Sequence, residues 1–344
     1  FPCPSYRRCG FLVVVLESSL NNLVAREYSA DALGGEVLAA VKGIGIAIIV
    51  IVIILASTIG AFILIDMGGN NEPGTFTVLD DRGQNVTIPK YPQRIVSLGT
   101  SFTEILFAIG ADGQVVGVDK TSTYPAGALS KTNVGSFYTL NAENVTALEP
   151  DCIITWTFAT STISTLEGLG FPVIAYNPTS ISDTMRVIMS IGNATGKSSA
   201  ANLLVDQMQE RVDEVTEMVA DISPEDKVKA YFELRNGKTT GPGALANELI
   251  TMAGGINIYG NNASKYPQPS LEFIIESDPD VIIVENQTSK TNDDIAGWIG
   301  SGVSAVDSDR IFRIDGALVT ASPRVVDALE QFAEWFYPEL FGSG

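Results

Sequence analysis

Two stretches of this chain repeat one another, and that repeat limits the possible fold more than any other feature. Residues 141–156, NAENVTALEPDCIITW, and residues 270–285, SLEFIIESDPDVIIVE, follow one pattern. Each opens on a residue that caps helices, Asn141 or Ser270, with a glutamate two positions later, Glu143 or Glu272. Each then reaches a Pro-Asp pair, at Pro150 or Pro279, and runs into an unbroken apolar segment. A polar oxygen at the cap satisfies a free amide of the first turn, and the residue before a proline leaves the helical region. The apolar run suits a strand covered on both faces. A second correspondence agrees: Glu104 leads an apolar helix ending at Gly110, and Glu248 leads one ending at Gly254. Two copies in one chain predict two similar α/β lobes.

The first lobe is expected over residues 92–180, with strands at Ile95–Leu98, Val115–Val118, Cys152–Trp156 and Val173–Tyr176. The second is expected over residues 227–344, with strands at Ala230–Leu234, Val281–Val284 and Ile311–Ile314. Apolar strands alternating with helices make parallel sheets. Residues 181–226 form the helical region between the lobes. There Leu203, Leu204, Met208, Val212, Val215 and Val219 recur at helical spacing. The stripe predicts one long amphipathic helix over Ser198–Ile222 that bridges the lobes as a spine. Folds of this kind bind ligands in the cleft at the carboxyl ends of their strands.

Ahead of the lobes, Ile44–Ile65 carries no charge. Its 22 residues make about 33 Å of helix, enough for a hydrocarbon core of about 30 Å, and exceed an ordinary signal-peptide core. Residues 43–66 are therefore expected to be a single-pass transmembrane anchor, and residues 1–42 show no clear periodicity. Lys42 precedes the apolar run, while Asp66, Glu72, Asp80 and Asp81 follow it. This charge bias puts residues 1–42 in the cytoplasm and residues 75–344 outside the cell membrane. No cysteine follows the run as a lipid attachment point. Residues 67–91 hold a linker, GGNNEPG at 68–74, and a lead-in strand. Sequons at Asn85, Asn144, Asn193, Asn262 and Asn286 would be open to glycosylation outside the cell.

Composition removes several functions. Lys and Arg number 21 against 40 Asp and Glu, a net charge of −19, which argues against a nucleic-acid partner. The chain has no histidine, so it has no Ser-His-Asp triad and no HExxH zinc site. Cys3, Cys9 and Cys152 make neither a disulfide framework nor a zinc ribbon, and Cys152 sits in an apolar strand as a core thiol. The stretch Gly192–Ser198 is one residue short of a P-loop and follows a helix. The glycines of 241–246 lie too far from their strand for a dinucleotide fingerprint and read as a loop shaping a helix start.

Aromatic residues are the better candidates. Phe137 and Tyr138 precede the first repeated helix, Trp156 ends its strand, and Tyr266 stands just before the second copy. Each buries about 150–250 Å² when covered, so several around a cleft suit a large, flat ligand; each also has a core-packing alternative. Arg235 follows the strand at 230–234, where it would clamp an anionic ligand or pair with a nearby acid. Trp298 and Trp335 read as structural helix aromatics. Glu143 and Glu272 occupy the same place in each repeat, as helix-dipole carboxylates or as two projecting acids on a shared face.

With these residues in view, the stretch from Pro92 to Phe341 resembles a family. It is the class of periplasmic substrate-binding proteins that carry cobalamin and ferric siderophores to ABC importers. The likeness rests on RIVSLGTSFTEILFAIGA, NAENVTALEPDCIITW, LGFPVIAY, ELITMAGGINIYG, SLEFIIESDPDVIIV and ASPR. It implies two α/β lobes joined by one long helix and no catalytic chemistry. It implies docking to an ABC permease, and through it an ATPase subunit, by one acid per lobe, which maps to Glu143 and Glu272. It implies cleft aromatics at Phe137, Trp156 and Tyr266, and a cobalt corrinoid or ferric chelate as ligand, with no covalently bound cofactor and no resident metal. Phe137 stands where hydroxamate binders tend to carry arginine, which favours a corrinoid; Arg235 leaves an anionic siderophore open. Heme stays open too, without imidazole ligation. The anchor departs from soluble members of the class. A surface chelatase or enzyme on the same scaffold, and a ligand-sensing receptor, are the rival readings.

Overall fold

A computed structural model describes residues 74–286 and 291–341. The expected anchor at 44–65, residues 1–42 with Cys3 and Cys9, and nearly all of the 68–74 linker lie outside the described residues. No helix among the described residues is long and apolar enough to cross a membrane.

The described chain opens on an antiparallel hairpin, β1 (Thr75–Leu79) and β2 (Asn85–Pro89). Arg82, at its turn, pairs with Asp80 at 2.7 Å and Glu167 at 2.8 Å and donates to the Val173 carbonyl, which fastens the hairpin to the first lobe. That lobe comprises β3 (Ile95–Ser97), α1 (Thr100–Ala108), β4 (Val115–Val118), β5 (Thr132–Asn133), α2 (Ala142–Ala147), β6 (Cys152–Trp156), α3 (Thr160–Gly168) and β7 (Val173–Tyr176). Its strands form a parallel sheet in the order β5-β4-β3-β6-β7. Two helices follow, α4 (Ile181–Thr195) and α5 (Ser198–Met218). The second lobe contains β8 (Lys229–Glu233), α6 (Leu245–Met252), β9 (Ile256–Asn257), α7 (Leu271–Ser277), β10 (Val281–Glu285), α8 (Asn292–Ile299), α9 (Ser304–Asp307), β11 (Ile311–Ile314), α10 (Val325–Phe336) and α11 (Pro338–Phe341). Its parallel sheet runs β11-β10-β8-β9.

The repeat folds as its pattern requires. The Asn141 side chain accepts from the Asn144 amide at 3.0 Å, and Ser270 Oγ accepts from the Phe273 amide at 3.4 Å. Each cap starts a short helix, and each helix turns through Pro-Asp into a central strand, β6 or β10. All seven expected strands are present, with ends within one residue of expectation. The two-residue edge strands β5 and β9 were not anticipated, because neither carries an apolar run long enough to stand out.

The long helix expected from Ser198 is present as α5, and α4 precedes it in the connection between the lobes. Gly196 adopts φ 74°, a left-handed conformation that ends α4, and the chain restarts as α5 two residues later. The helices touch at Gly192 and Ala201, where a Cβ on Gly192 would collide with the alanine methyl. The α5 helix is 21 residues long, about 32 Å, and stops short of Ile222. Met208, Val212 and Val215 bury its apolar face, whereas Leu203 is 60% exposed and falls outside the stripe. One core runs from Phe102 and Leu106 through Ile188, Ile191, Ala201 and Met208 to Phe232, Leu249 and Phe332. Separate clusters fill the outer faces of the two sheets.

Candidate functional site

At the carboxyl end of β6 the first lobe presents a row of aromatic rings. Gly99, just after β3, makes room for the first of them: its φ is 149°, and a Cβ there would sit 2.5 Å from the Trp156 indole nitrogen. Trp156 is half-buried, packed 4.6 Å from the buried ring of Phe102. Phe158 stacks on it at 5.5 Å and 18°. Phe137 meets Phe158 edge-on at 5.5 Å and Tyr138 at 4.4 Å. Phe158 is 51% exposed and Tyr138 is 78% exposed, so the row runs from core to solvent. Phe137, Tyr138 and Trp156 are thus brought together. Phe158 was missed by sequence reasoning, although its place two residues past the end of a central parallel strand was a usable signal. A run of exposed rings on a folded surface marks a place for a partner or ligand.

The second lobe holds the other two candidates. Arg235 is exposed just after β8, and its backbone amide donates to Glu285 at 2.8 Å. Glu285 ends β10 and is buried; burial pushes its carboxyl upward, while the Arg235 amide and charge pull it back. Tyr266 is 45% exposed, and burial of its hydroxyl together with the Glu285 charge raises the phenol above its usual range. This wall differs from the first: one exposed phenol, one exposed guanidinium and a buried carboxylate.

Glu143 and Glu272 are both exposed in the first turns of α2 and α7. Each helix runs back against its sheet, so its N-terminus lies at the carboxyl ends of the strands, the end where the aromatic wall also sits. Beside Glu143, the Asn144 side-chain amide donates to the Asn133 carbonyl at 3.1 Å. The nitrogen a glycan would need is therefore engaged. The sequon asparagines Asn85, Asn193, Asn262 and Asn286 are exposed.

Of the two glutamates of the second correspondence, Glu248 lies in the first turn of α6, as expected, and Glu104 departs from expectation. Glu104 does not lead its helix; it lies within α1, 4% exposed. Arg324, at the head of α10 in the other lobe, donates to it twice, at 2.8 and 2.7 Å. The same guanidinium lies 3.8 Å from the Tyr124 ring centroid. Hydrogen bonding to Glu104 raises the Arg324 pKa further. Glu248 accepts from the Ile181 amide at 2.9 Å, at the start of α4, and burial pushes its carboxyl upward.

The remaining candidates are structural. Cys152 is buried, and burial pushes its thiol far above the reactive range. Trp335 stacks on Phe312 at 4.9 Å, and Trp298 packs against the outer cluster of the second lobe. No group of three or more acids or cysteines is placed to hold a metal ion among the described residues.

Comparison with known proteins agrees with this architecture. The family profile described as "Periplasmic binding protein" matches residues 95–318. An uncharacterized ABC transporter substrate-binding lipoprotein of Bacillus subtilis is 31% identical over 77% of this chain and 86% of its own length. A cobalamin-binding protein of Halobacterium salinarum is 32% identical over 61% of this chain, spanning 58% of that protein. Among solved structures, the periplasmic heme-binding protein RhuT from Roseiflexus sp. RS-1 superposes with a TM-score of 0.65 at 26% identity. That match covers 72% of this chain and 99% of the other. Two lobes with parallel sheets, a wall of exposed rings and the profile match lead to one assignment: the chain belongs to the periplasmic binding protein family, whose members hold a solute rather than transform it.

Proposed function

We propose that the protein is an extracytoplasmic, membrane-tethered substrate-binding protein that captures a metal chelate and delivers it to an ABC importer. The observation that carries this reading is the aromatic row Trp156–Phe158–Phe137–Tyr138. A stack of rings open to solvent matches the flat face of a macrocycle, and a corrinoid is the ligand we favour. A ferric siderophore is the second choice, with Arg235 as its anionic contact. The named ligands of related binding proteins, cobalamin in Halobacterium salinarum and heme in Roseiflexus, support the size and shape of such a ligand. Tyr266 completes the site from the second lobe. The test is a titration of the protein with cyanocobalamin, hemin, and hydroxamate and catecholate ferric complexes, read by tryptophan fluorescence. Saturable quenching by the corrinoid is expected, and no binding by any of the four would overturn the reading.

Delivery would use Glu143 and Glu272 against arginines of the permease, with an ATPase subunit behind it. Exposed charge pairs contribute only about 0–1 kcal/mol each and act mainly on association rate and register. Single alanine changes should therefore be mild. The double reversal Glu143→Arg, Glu272→Arg should weaken capture by the reconstituted transporter more than either single reversal, while chelate affinity stays within about twofold. Raising salt should weaken capture by the parent protein. Normal transport by the double reversal would reduce both acids to helix-dipole residues.

The tether is residues 44–65. Protease added to intact cells should release a soluble fragment beginning near residues 68–74; degradation only after lysis would reverse the assigned orientation.

A further inference from the structure

We propose that Arg324, Glu104 and Tyr124 form a strut between the lobes that fixes the width of the cleft when no ligand is bound. The two lobes are joined covalently through α4 and α5. One continuous core packs both lobes along these helices, so they meet at a seam about which they can still open. A polar attachment across the lobes in addition to that core opposes the opening. The Arg324–Glu104 pair is such an attachment: residues 220 apart in sequence share two hydrogen bonds.

Both ends of the strut are rigidly seated. Glu104 belongs to a helix whose Phe102, Ile105 and Leu106 are fully buried. Arg324 heads a helix whose Val325, Val326, Leu329 and Phe332 are buried in the shared core. Neither carrier can drift without moving its lobe. The paired geometry also fixes orientation, because a planar guanidinium meeting both carboxylate oxygens resists twisting as well as stretching. Tyr124, half exposed on the first lobe, covers one face of the guanidinium and keeps it from swinging toward water. The repeat strengthens the case. Glu248, the counterpart of Glu104, also ties its lobe to a foreign segment, the first turn of α4.

The inference does not depend on which ligand the cleft takes, and its test needs none. Spin labels at Thr146→Cys and Glu276→Cys, exposed on α2 and α7, would report the distance between the lobes in the full chain. Cys3→Ser and Cys9→Ser leave Cys152, which is buried, as the one native thiol. The parent should give one narrow distance distribution. Arg324→Ala and Glu104→Gln should each at least double its width and lengthen its mean, with unchanged circular dichroism. Arg324→Lys, which keeps the charge and loses the paired geometry, should fall between. Tyr124→Ala, at a half-exposed ring whose removal leaves the core intact, should widen the distribution less. Folded variants with the parent distribution would overturn the proposal. Loss of folding in every variant would also overturn it, by making the pair a requirement of the fold rather than a setting of the cleft.

Discussion

Truncating Trp156 to alanine should weaken chelate binding by about 1–3 kcal/mol, roughly five- to 150-fold in Kd, the usual value of a well-packed aromatic anchor. It should also cost stability, because the indole packs on Phe102. Phe158→Ala separates the two effects. That ring is half exposed and touches only Trp156 and Phe137 among the aromatics, so its loss should reduce affinity by a similar factor while leaving the melting temperature nearly unchanged. Titration of both variants beside a thermal melt checks this. If both fold and bind like the parent, the ligand sits elsewhere and the row is only a surface patch.

Removing Arg324 should produce the largest stability loss outside the core. Arg324→Ala leaves the Glu104 carboxylate buried without its cation, and breaking such a pair on one side costs about 3–5 kcal/mol. The lower end is expected, since Arg324 still reaches solvent on one side. Removing both charges is a different experiment. The double variant Glu104→Met, Arg324→Met should recover most of the loss, because burying the ions was itself costly. Denaturant unfolding of the two single variants and the pair completes the cycle. Near-parent stability for Arg324→Ala would mean that Glu104 finds water or another donor.

The strands and the repeated cap–helix–strand units were legible because each is local. An N-cap, a Pro-Asp turn and an apolar run all fall within sixteen consecutive residues. Trp156 was legible for the same reason, as the last residue of such a run. What was not legible depends on contacts between distant segments. The Glu104–Arg324 pair joins residues that no periodicity connects, and a glutamate in an apolar helix looked like its leading acid. The break between α4 and α5 was legible in outline, because a helix ahead of the Gly192–Ser198 stretch and a second from Ser198 were both expected, and Gly196 ends the first. Phe158 was overlooked because it stands in the turn beyond the apolar run that singled out Trp156.

The core that threads both lobes through α4 and α5 has a consequence for how this domain can be made and divided. Each half would end on an apolar flank, Ile188 and Ile191 on one side and Met208 and Val212 on the other, with nothing to cover it. Neither lobe is then an independent folding unit, despite their internal likeness.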